Sequence, residues 1–582
     1  ANVLINLKNE GYQIKTDRIN LADKVEIKLD GFFGPKNHQY RLKASGSLDT
    51  LLEDKFFPNI YKNVIGQSKL DSSYAIEYNE LRNDKNKYYF GKVIFSDFIF
   101  KSEEYAIFGS SDNITVNFLN NYIISTPTKF KLNNDNFDFR IFTTKQNNIL
   151  EYTVQGIGNI STKSIKKTNL FGNLDYLDGN ALSKLSLKFM KSGDNTNILM
   201  ILKSDMKGMS LDLFEPFAKK ADEKKNLFVK YNITNNKKRY VDLTYENYDM
   251  RLYYQKGDAY LNVSSPSLQG SIIIPAETTR ENRLYAKLQY FNMNDFQGSG
   301  DPSIYPHMEI SINRARIGNS IFNNMKLSSF KSRDGMTLDQ LSFQNKNLSM
   351  NASGKWVNLS GNQITFFDGN FSSSDFGKSL KELGYGDIIK RGKLSSRMIG
   401  QWKGSPDLFS LENFAGNVTV SMTNGEFLQI QKETKVIGQL LGLFSIASLQ
   451  KRLSLDFSDF FSSGLSFDKM SGEFLFDKSI ASVDNLKLSG TFGEMNISGT
   501  SNITQKTHDQ KLTYIPDLSS MSLISGTLLG GPIGAVASIF YDKVLKEIGI
   551  DTNELAAVEY TIKGSWKNPE INLVETFKPI KN

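Results

Sequence analysis

Alternation with a period of two runs through this chain and restricts its fold more than any other feature. Lys24-Val25-Glu26-Ile27-Lys28-Leu29-Asp30 alternates without a break. So do Ile114/Val116/Phe118, Phe137/Phe139/Ile141, Val241/Leu243/Tyr245, Leu284/Ala286/Leu288/Tyr290, Val418/Val420/Met422 and Leu453/Leu455/Phe457. A strand turns successive side chains to opposite faces, so each segment has one apolar and one wet face. Between them lie clusters such as Asn133-Asn134-Asp135-Asn136 and Lys191-Ser192-Gly193-Asp194-Asn195, which are turn chemistry. The pattern recurs from residue 3 to about 573 without a linker rich in Pro or Ser. It predicts a continuous antiparallel β system.

Composition narrows the chemistry. The 582 residues contain no Cys and three His, which removes thiol catalysis, Cys-type zinc sites and iron–sulfur clusters and leaves little for a His-based centre. Aromatic residues at 12% exclude disorder along the whole chain. The net charge of +8 is spread along the sequence, too diffuse for a nucleic-acid surface. No nucleophile elbow occurs. Near Gly386 and Gly392-Lys393 the glycines are one residue too far apart for a phosphate loop, and Leu394 replaces the Ser or Thr that would ligate magnesium. No catalytic residue, metal ligand or cofactor is assigned. The chain opens Ala1-Asn2-Val3-Leu4, already strand-like and without Met, which suggests part of a longer or processed product.

Helical patterns are few. Leu48–Phe57 and Leu211–Ala221 are weak ones, and Asp375–Leu383 is better. In Lys435–Leu449, Ile437, Leu440, Leu441 and Phe444 share a helix face. In Pro532–Ile548, Pro532 suits the first helical position and Gly549 the stop. That helix belongs to the longest uncharged run, the 24 residues Leu518–Tyr541, long enough to span a bilayer but rich in Gly and Ser. Two readings stand for it: a buried capping helix, or a segment resting on a membrane. In the second, Leu523, Ile524, Leu528, Leu529, Ile533, Val536, Ile539 and Phe540 would touch lipid.

All three Trp sit in Gly-x-Trp, at Trp356, Trp402 and Trp566, and the last two run on to Pro406 and Pro569. A recurring strand-ending signature points to repeated supersecondary units.

A sheet with one apolar face has to hide it. It can close as a barrel, stack, wind as a solenoid, or curl into a trough covered by something other than protein. Continuous apolar runs are short here, such as Ile272-Ile273-Ile274, which suits many half-buried strands around a trough. The fold expected is mostly β, an elongated, curled antiparallel sheet forming a repeating β-groove with a few short helices. Its expected lining is Val25, Ile27, Leu29, Ile114, Val116, Phe118, Phe137, Phe139 and Ile141, then Leu284, Leu288, Val418, Val420, Met422, Leu453, Leu455, Phe457, Phe474 and Phe476. Acyl chains could cover such a lining at roughly 25 cal/mol per Å² of apolar surface removed from water.

From about residue 300 the sequence resembles the AsmA-like envelope proteins, most closely their YhdP-type members. The stretches that carry this are Tyr305-Pro-His-Met-Glu-Ile-Ser-Ile, Leu348–Trp356, Phe376-Gly-Lys-Ser-Leu-Lys-Glu-Leu-Gly384-Tyr and Gly400-Gln-Trp-Lys-Gly-Ser-Pro406. They continue with Asn424-Gly-Glu-Phe, Gly438-Gln-Leu-Leu-Gly-Leu-Phe-Ser, Gln450–Asp459, Phe467-Asp-Lys-Met-Ser-Gly-Glu-Phe, Gly530-Gly-Pro-Ile-Gly and Tyr560–Trp566. Residues 1–300 share the style without a motif. The division expected is therefore 1–300, a repeating groove segment, and 301–582, the AsmA-like region with helices near 375–383, 435–449 and 532–548.

The resemblance implies a non-enzymatic bridge that carries phospholipid through the Gram-negative periplasm from inner to outer membrane. It also implies an inner-membrane anchor, an N-terminal helix absent from this chain, and a C-terminal end near the outer membrane. The partners implied are phospholipids, both membranes and envelope proteins, with no nucleic acid. Two rivals come from other classes: an envelope assembly factor that helps outer-membrane proteins insert by pairing strands at the groove edge, and a β enzyme acting on polysaccharide, which needs clustered carboxylates.

Overall fold

In a computed structural model, the described residues lie between 3 and 578, apart from the longer stretches 48–68, 429–463 and 517–556 and several short loops. The helices expected at 435–449 and 532–548, the weak one at Leu48–Phe57, the lining residues Leu453, Leu455 and Phe457, and all eight membrane-contacting residues from Leu523 to Phe540 fall outside the described residues. The chain divides into two units, Ala1–Pro266 and Ser267–Asn582.

Both units are β structures built from hairpins laid side by side. In the first, strand follows strand in antiparallel register, for example Val25–Phe33, His38–Ser47, Lys69–Arg82, Lys87–Ser102 and Ile107–Leu119. The turn at Asn133-Asn134 has φ of 47° and 80°, the left-handed pair that a tight hairpin requires and that Asn tolerates. Asn133 also accepts the Phe108 amide through its side chain at 2.7 Å, tying that turn to the neighbouring strand.

Among the described strands of the second unit the register is antiparallel with one exception. Leu284–Asn292 pairs in parallel with Met308–Ile317. The segment between them, residues 293–307, carries two single-turn 3₁₀ helices, and a parallel return needs a crossover of about this length.

Each strand hides one face. Along His38–Ser47 the half-buried His38, Tyr40, Leu42 and Ala44 alternate with exposed Gln39, Arg41, Lys43 and Ser45. Phe rings repeatedly lie across from Gly on the next strand. Phe118 faces Gly91 and Phe137 faces Gly158. A Cβ on Gly91 would meet both the Glu77 carbonyl and the Phe118 ring, so the ring fills the space a side chain would have taken. Ring and glycine thus share one space, so the two strands meet closely on the apolar face.

Among the described residues two short α-helices occur. The first, Thr162–Lys166, has no periodic signature and is capped by Ser161, whose hydroxyl accepts the Ser164 amide. The second, Phe376–Glu382, is the one expected at 375–383: Asp375 caps it through the Lys378 amide and Gly384 at φ +84° follows its end. Leu380 buries beside Ile388 and Ile389.

The weak helix at Leu211–Ala221 does not form. Leu211 and Lys219 instead exchange backbone hydrogen bonds at 2.9 and 3.0 Å. Pro216, midway, lacks the amide that a helix would use. Lys219 is buried beneath this turn and donates from Nζ to the Met209 and Lys220 carbonyls at 2.7 and 2.9 Å.

Trp402 stands at the end of Ile389–Lys403 and Trp566 just past Ala557–Ser565, as their motif implied, whereas Trp356 lies inside Leu348–Leu359. Trp402 donates its indole N–H to the Ser405 carbonyl at 2.9 Å, and Trp566 to the Thr507 carbonyl at 3.1 Å. Trp356 donates to Gln363 Oε1 at 3.2 Å.

Candidate functional site

The strand registers join the apolar faces into ribbons that cross the strands. In the first unit one row runs Ile27–Ala44–Ile76–Val93–Val116. It reaches Ser125, whose hydroxyl accepts the Ile141 amide. From Ile141 it continues Val154–Leu187–Met200–Tyr231–Val241–Leu252–Leu261. A second apolar row lies beside part of it: Leu185–Leu202–Val229–Leu243–Met250–Val263. At about 4.8 Å per strand such a ribbon extends on the order of 60 Å along the sheet. Most of its members are only half-buried, so apolar area remains open to solvent.

Of the expected lining, Val25, Ile27 and Leu29 sit half-buried on this face. Ile114, Val116 and Phe139 pack together with Phe95, Phe130, Ile141 and Val154 around them. Phe118 and Phe137 lie on the same face against their glycines. The opposite face differs in kind. Its open concavity of about 650 Å³ is lined by Lys184, Lys203, Asp205 and Glu246 among isolated apolar groups such as Ile157 and Leu182.

The second unit has its own ribbon, Ala286–Ile310–Leu327–Leu341–Ala352–Gly369–Met398–Val418–Phe474–Val483. Leu284 and Leu288 flank its start, opposite Met308 and Ile312. Ile310, Leu327, Leu341, Met398, Val418 and Val420 are half-buried. Beyond them the face is sealed. Met422, Phe474 and Phe476 belong to a packed cluster with Phe427, Phe467, Met470, Leu486, Leu488, Met495, Ile497, Leu512 and Ile562. Leu486, Met495, Leu512 and Ile562 have 0% exposure.

Among the described residues, Glu80 and His508 are ionisable groups buried on the apolar faces. In the first unit Glu80 is buried, accepting the Tyr40 and Tyr78 hydroxyls on Oε2 at 2.7 and 2.8 Å, with Lys87 Nζ 3.1 Å from Oε1. Burial opposes its ionisation, but the bonds from Tyr40, Tyr78 and Lys87 outweigh burial and hold the carboxyl below its ordinary value. Burial, then the bond to Glu80, raises Tyr78. In the second unit buried His508 meets Ser501 Oγ at 3.0 Å through Nδ1 and stacks on Trp566 with ring centres 5.7 Å apart. Burial lowers its pKa to about 4.

The periodicity lists missed Ala44, Ile76, Val93, Val154, Leu187 and Met200, which make up much of the first ribbon. A signal for them exists. Tyr40/Leu42/Ala44, Tyr74/Ile76/Tyr78 and Leu185/Leu187/Phe189 alternate as well, although Ser, Gly and Tyr dilute the pattern. The same parity exposes Glu80 as a carboxylate on an apolar face.

Among the described residues no helix is long and apolar enough to cross a membrane, and no cluster of three metal-ligating side chains forms.

Comparison with known proteins bears on the motifs that follow residue 300. The family described as YhdP protein matches residues 241–571, more than half of the chain. A curated relative, the intermembrane phospholipid transporter YhdP of Escherichia coli (strain K12), is 23% identical over 225 residues. That match covers 39% of this chain and 17% of the relative's length. With the family's pattern running through most of its second unit and into its first, the chain belongs to the YhdP family.

Proposed function

We propose that this chain is a non-enzymatic conduit for phospholipid between membranes. The observation that carries the reading is the first unit's half-buried ribbon from Ile27 to Leu261, an apolar strip with residual exposure. Acyl chains lying on it would remove that surface from water, contributing about 2.5 kcal/mol for each 100 Å² covered. Head groups would remain wet beside the strip. A row that repeats from strand to strand offers similar contacts at each step, so a lipid can move along it without a deep trap. The Escherichia coli relative, an intermembrane phospholipid transporter, supports the cargo, and the periplasm of a Gram-negative bacterium is the compartment that fits an intermembrane route. In the second unit Met398, Val418 and Val420 pack at the margin of the cluster that holds Met422, Phe474 and Phe476 but stay half-buried, and lipid contact there is proposed for that residual surface alone.

The test is a photo-crosslinking residue placed at Leu187 on the ribbon and, as a control, at Ile157, which is 46% exposed on the opposite face. Phospholipid adducts at 187 and none at 157 are expected in cells. Equal yields at both would mean that lipid contact follows exposure and not the ribbon.

A further inference from the structure

The apolar face of the first unit changes character along its strands, and it does so in four cross-strand rows. The innermost is Ala44–Ile76–Val93–Val116. The next is Leu42–Tyr78–Gly91–Phe118. The third is Tyr40–Glu80–Tyr89, and the last is His38–Arg82–Lys87. Two residues separate successive rows, about 6.8 Å along a strand. Within about 20 Å the face passes from aliphatic, through aromatic, to hydroxyl and carboxylate, and ends on three basic side chains.

Aromatic rings mark the boundary across several strands. Tyr12 and Phe33 lie 6.0 Å apart, Phe33 and Tyr40 5.5 Å, Tyr40 and Tyr78 5.8 Å, and Tyr78 and Phe118 6.1 Å. Amphipathic rings gather in this way where an apolar phase meets water.

We propose that this edge of the strip is a head-group station, which binds the phosphate of a glycerophospholipid on His38, Arg82 and Lys87 while its acyl chains lie on the two apolar rows. The inference rests on the conduit reading and adds to it a fixed position and a chemistry. Arg82 is exposed, and the side chains of Lys87 and His38 keep 54% and 24% exposure, so the basic row meets solvent at the level a head group would occupy.

Glu80 organises the row from beneath. Its Oε2 accepts two tyrosine hydroxyls and its Oε1 holds Lys87, with His38 Nε2 at 3.8 Å. Both oxygens of Glu80 being engaged, it offers a head-group ammonium no open carboxylate oxygen, while a phosphate meets Arg82 and Lys87. The station therefore favours anionic over zwitterionic head groups. The distance from the basic row to the aliphatic row, about 20 Å, is comparable with the hydrocarbon depth of one leaflet, about 15 Å.

The experiment uses the whole purified chain and measures binding of three detergent-solubilised probes with identical acyl chains: phosphatidylglycerol, phosphatidylethanolamine and diacylglycerol. A fourth probe is inorganic phosphate alone. Phosphatidylglycerol is expected to bind most tightly, and the Arg82→Gln/Lys87→Gln double variant to weaken it by about tenfold while leaving diacylglycerol unchanged. Both substitutions are at exposed side chains, and an unchanged circular dichroism spectrum checks the fold. Equal binding of phosphatidylglycerol and diacylglycerol, or no effect of the double variant, overturns the station and leaves the conduit standing. Inorganic phosphate competing as well as the lipid also overturns it, in favour of a free-anion site. Failure of all three lipids to bind removes the conduit reading itself.

Discussion

The half-buried ribbon of the first unit and the sealed end of the second begin from the same sequence device, period-two strands with apolar residues on one face. They finish differently. Val93, Leu187 and Met200 keep part of their surface open, whereas Leu486, Met495 and Leu512 keep none. Side-chain bulk and cover account for the difference. The ribbon is made largely of Ala, Val, Ile and Leu, one or two per strand. At the sealed end Phe414, Phe427, Phe467, Phe474 and Phe476 interlock, with Phe427 and Phe467 rings 5.0 Å apart and Phe414 and Phe476 5.5 Å apart. The helix Phe376–Glu382 adds Leu380 to the same cluster. An apolar face whose own residues meet across it becomes a core. One whose residues cannot meet stays available to a ligand.

This contrast can be broken most directly by truncation. Leu486→Ala or Leu512→Ala is expected to cost about 2–5 kcal/mol of stability, and Leu187→Ala in the ribbon about 1 kcal/mol, because water or lipid can occupy a gap that opens to the surface. Denaturant unfolding of each variant measures this. Equal losses would mean that the ribbon is as closed as the core.

Acid separates the two regions next. Buried His508 is held neutral, so the unfolded chain binds a proton below pH 6.5 that the folded one refuses until about pH 4. Stability of the second unit therefore falls as pH drops through that window, by on the order of 3 kcal/mol. His508→Gln should flatten the slope in a pH series of unfolding midpoints. Glu80 acts at lower pH. Its carboxyl is held below its ordinary 4.5, so its stabilising contribution is present above that value and disappears as pH falls below it. Hydrogen exchange resolved by segment should show the second unit loosening first on acidification. Simultaneous loosening would contradict the assignment.

A smaller effect is expected where ring and glycine share one space. Gly91→Ala places a methyl group against the Glu77 carbonyl and the Phe118 ring, and the backbone has to give, at about 1–3 kcal/mol. A thermal melt reads the loss. If the variant is neutral, the paired ring and glycine do not set how closely the strands meet.

Much of the fold was legible because alternation is local. Phe137/Phe139/Ile141 and Val418/Val420/Met422 needed no partner to declare their faces, and the helix at Asp375–Leu383 carried both an N-cap and a terminal Gly. The parallel pairing of Leu284–Asn292 with Met308–Ile317 was not legible, since no local pattern separates a parallel from an antiparallel neighbour on one face. The apparent helix at Leu211–Ala221 failed for a related reason. Its apolar spacing is real, but Pro216 and the cross-bridge between Leu211 and Lys219 outweigh propensity. In the candidate site Val116, Phe139 and Ile141 show their apolar face by alternation, whereas Ala44, Ile76 and Val93 escape it because Ser, Gly and Tyr dilute the pattern. The row joining Ile76 to Val93 and Val116 was not legible, because it exists only once three strands are in register.

The sequence by itself determined which side chains share a face and that thiol and Cys-type zinc chemistry have no material to work with. Only the tertiary structure decided which of those faces are sealed and which stay partly open, and that Glu80, His38, Arg82 and Lys87 line up along one edge of an apolar strip. The physical reason is that facing direction follows from backbone geometry residue by residue, whereas cover and juxtaposition depend on register and curvature summed over strands far apart in the chain.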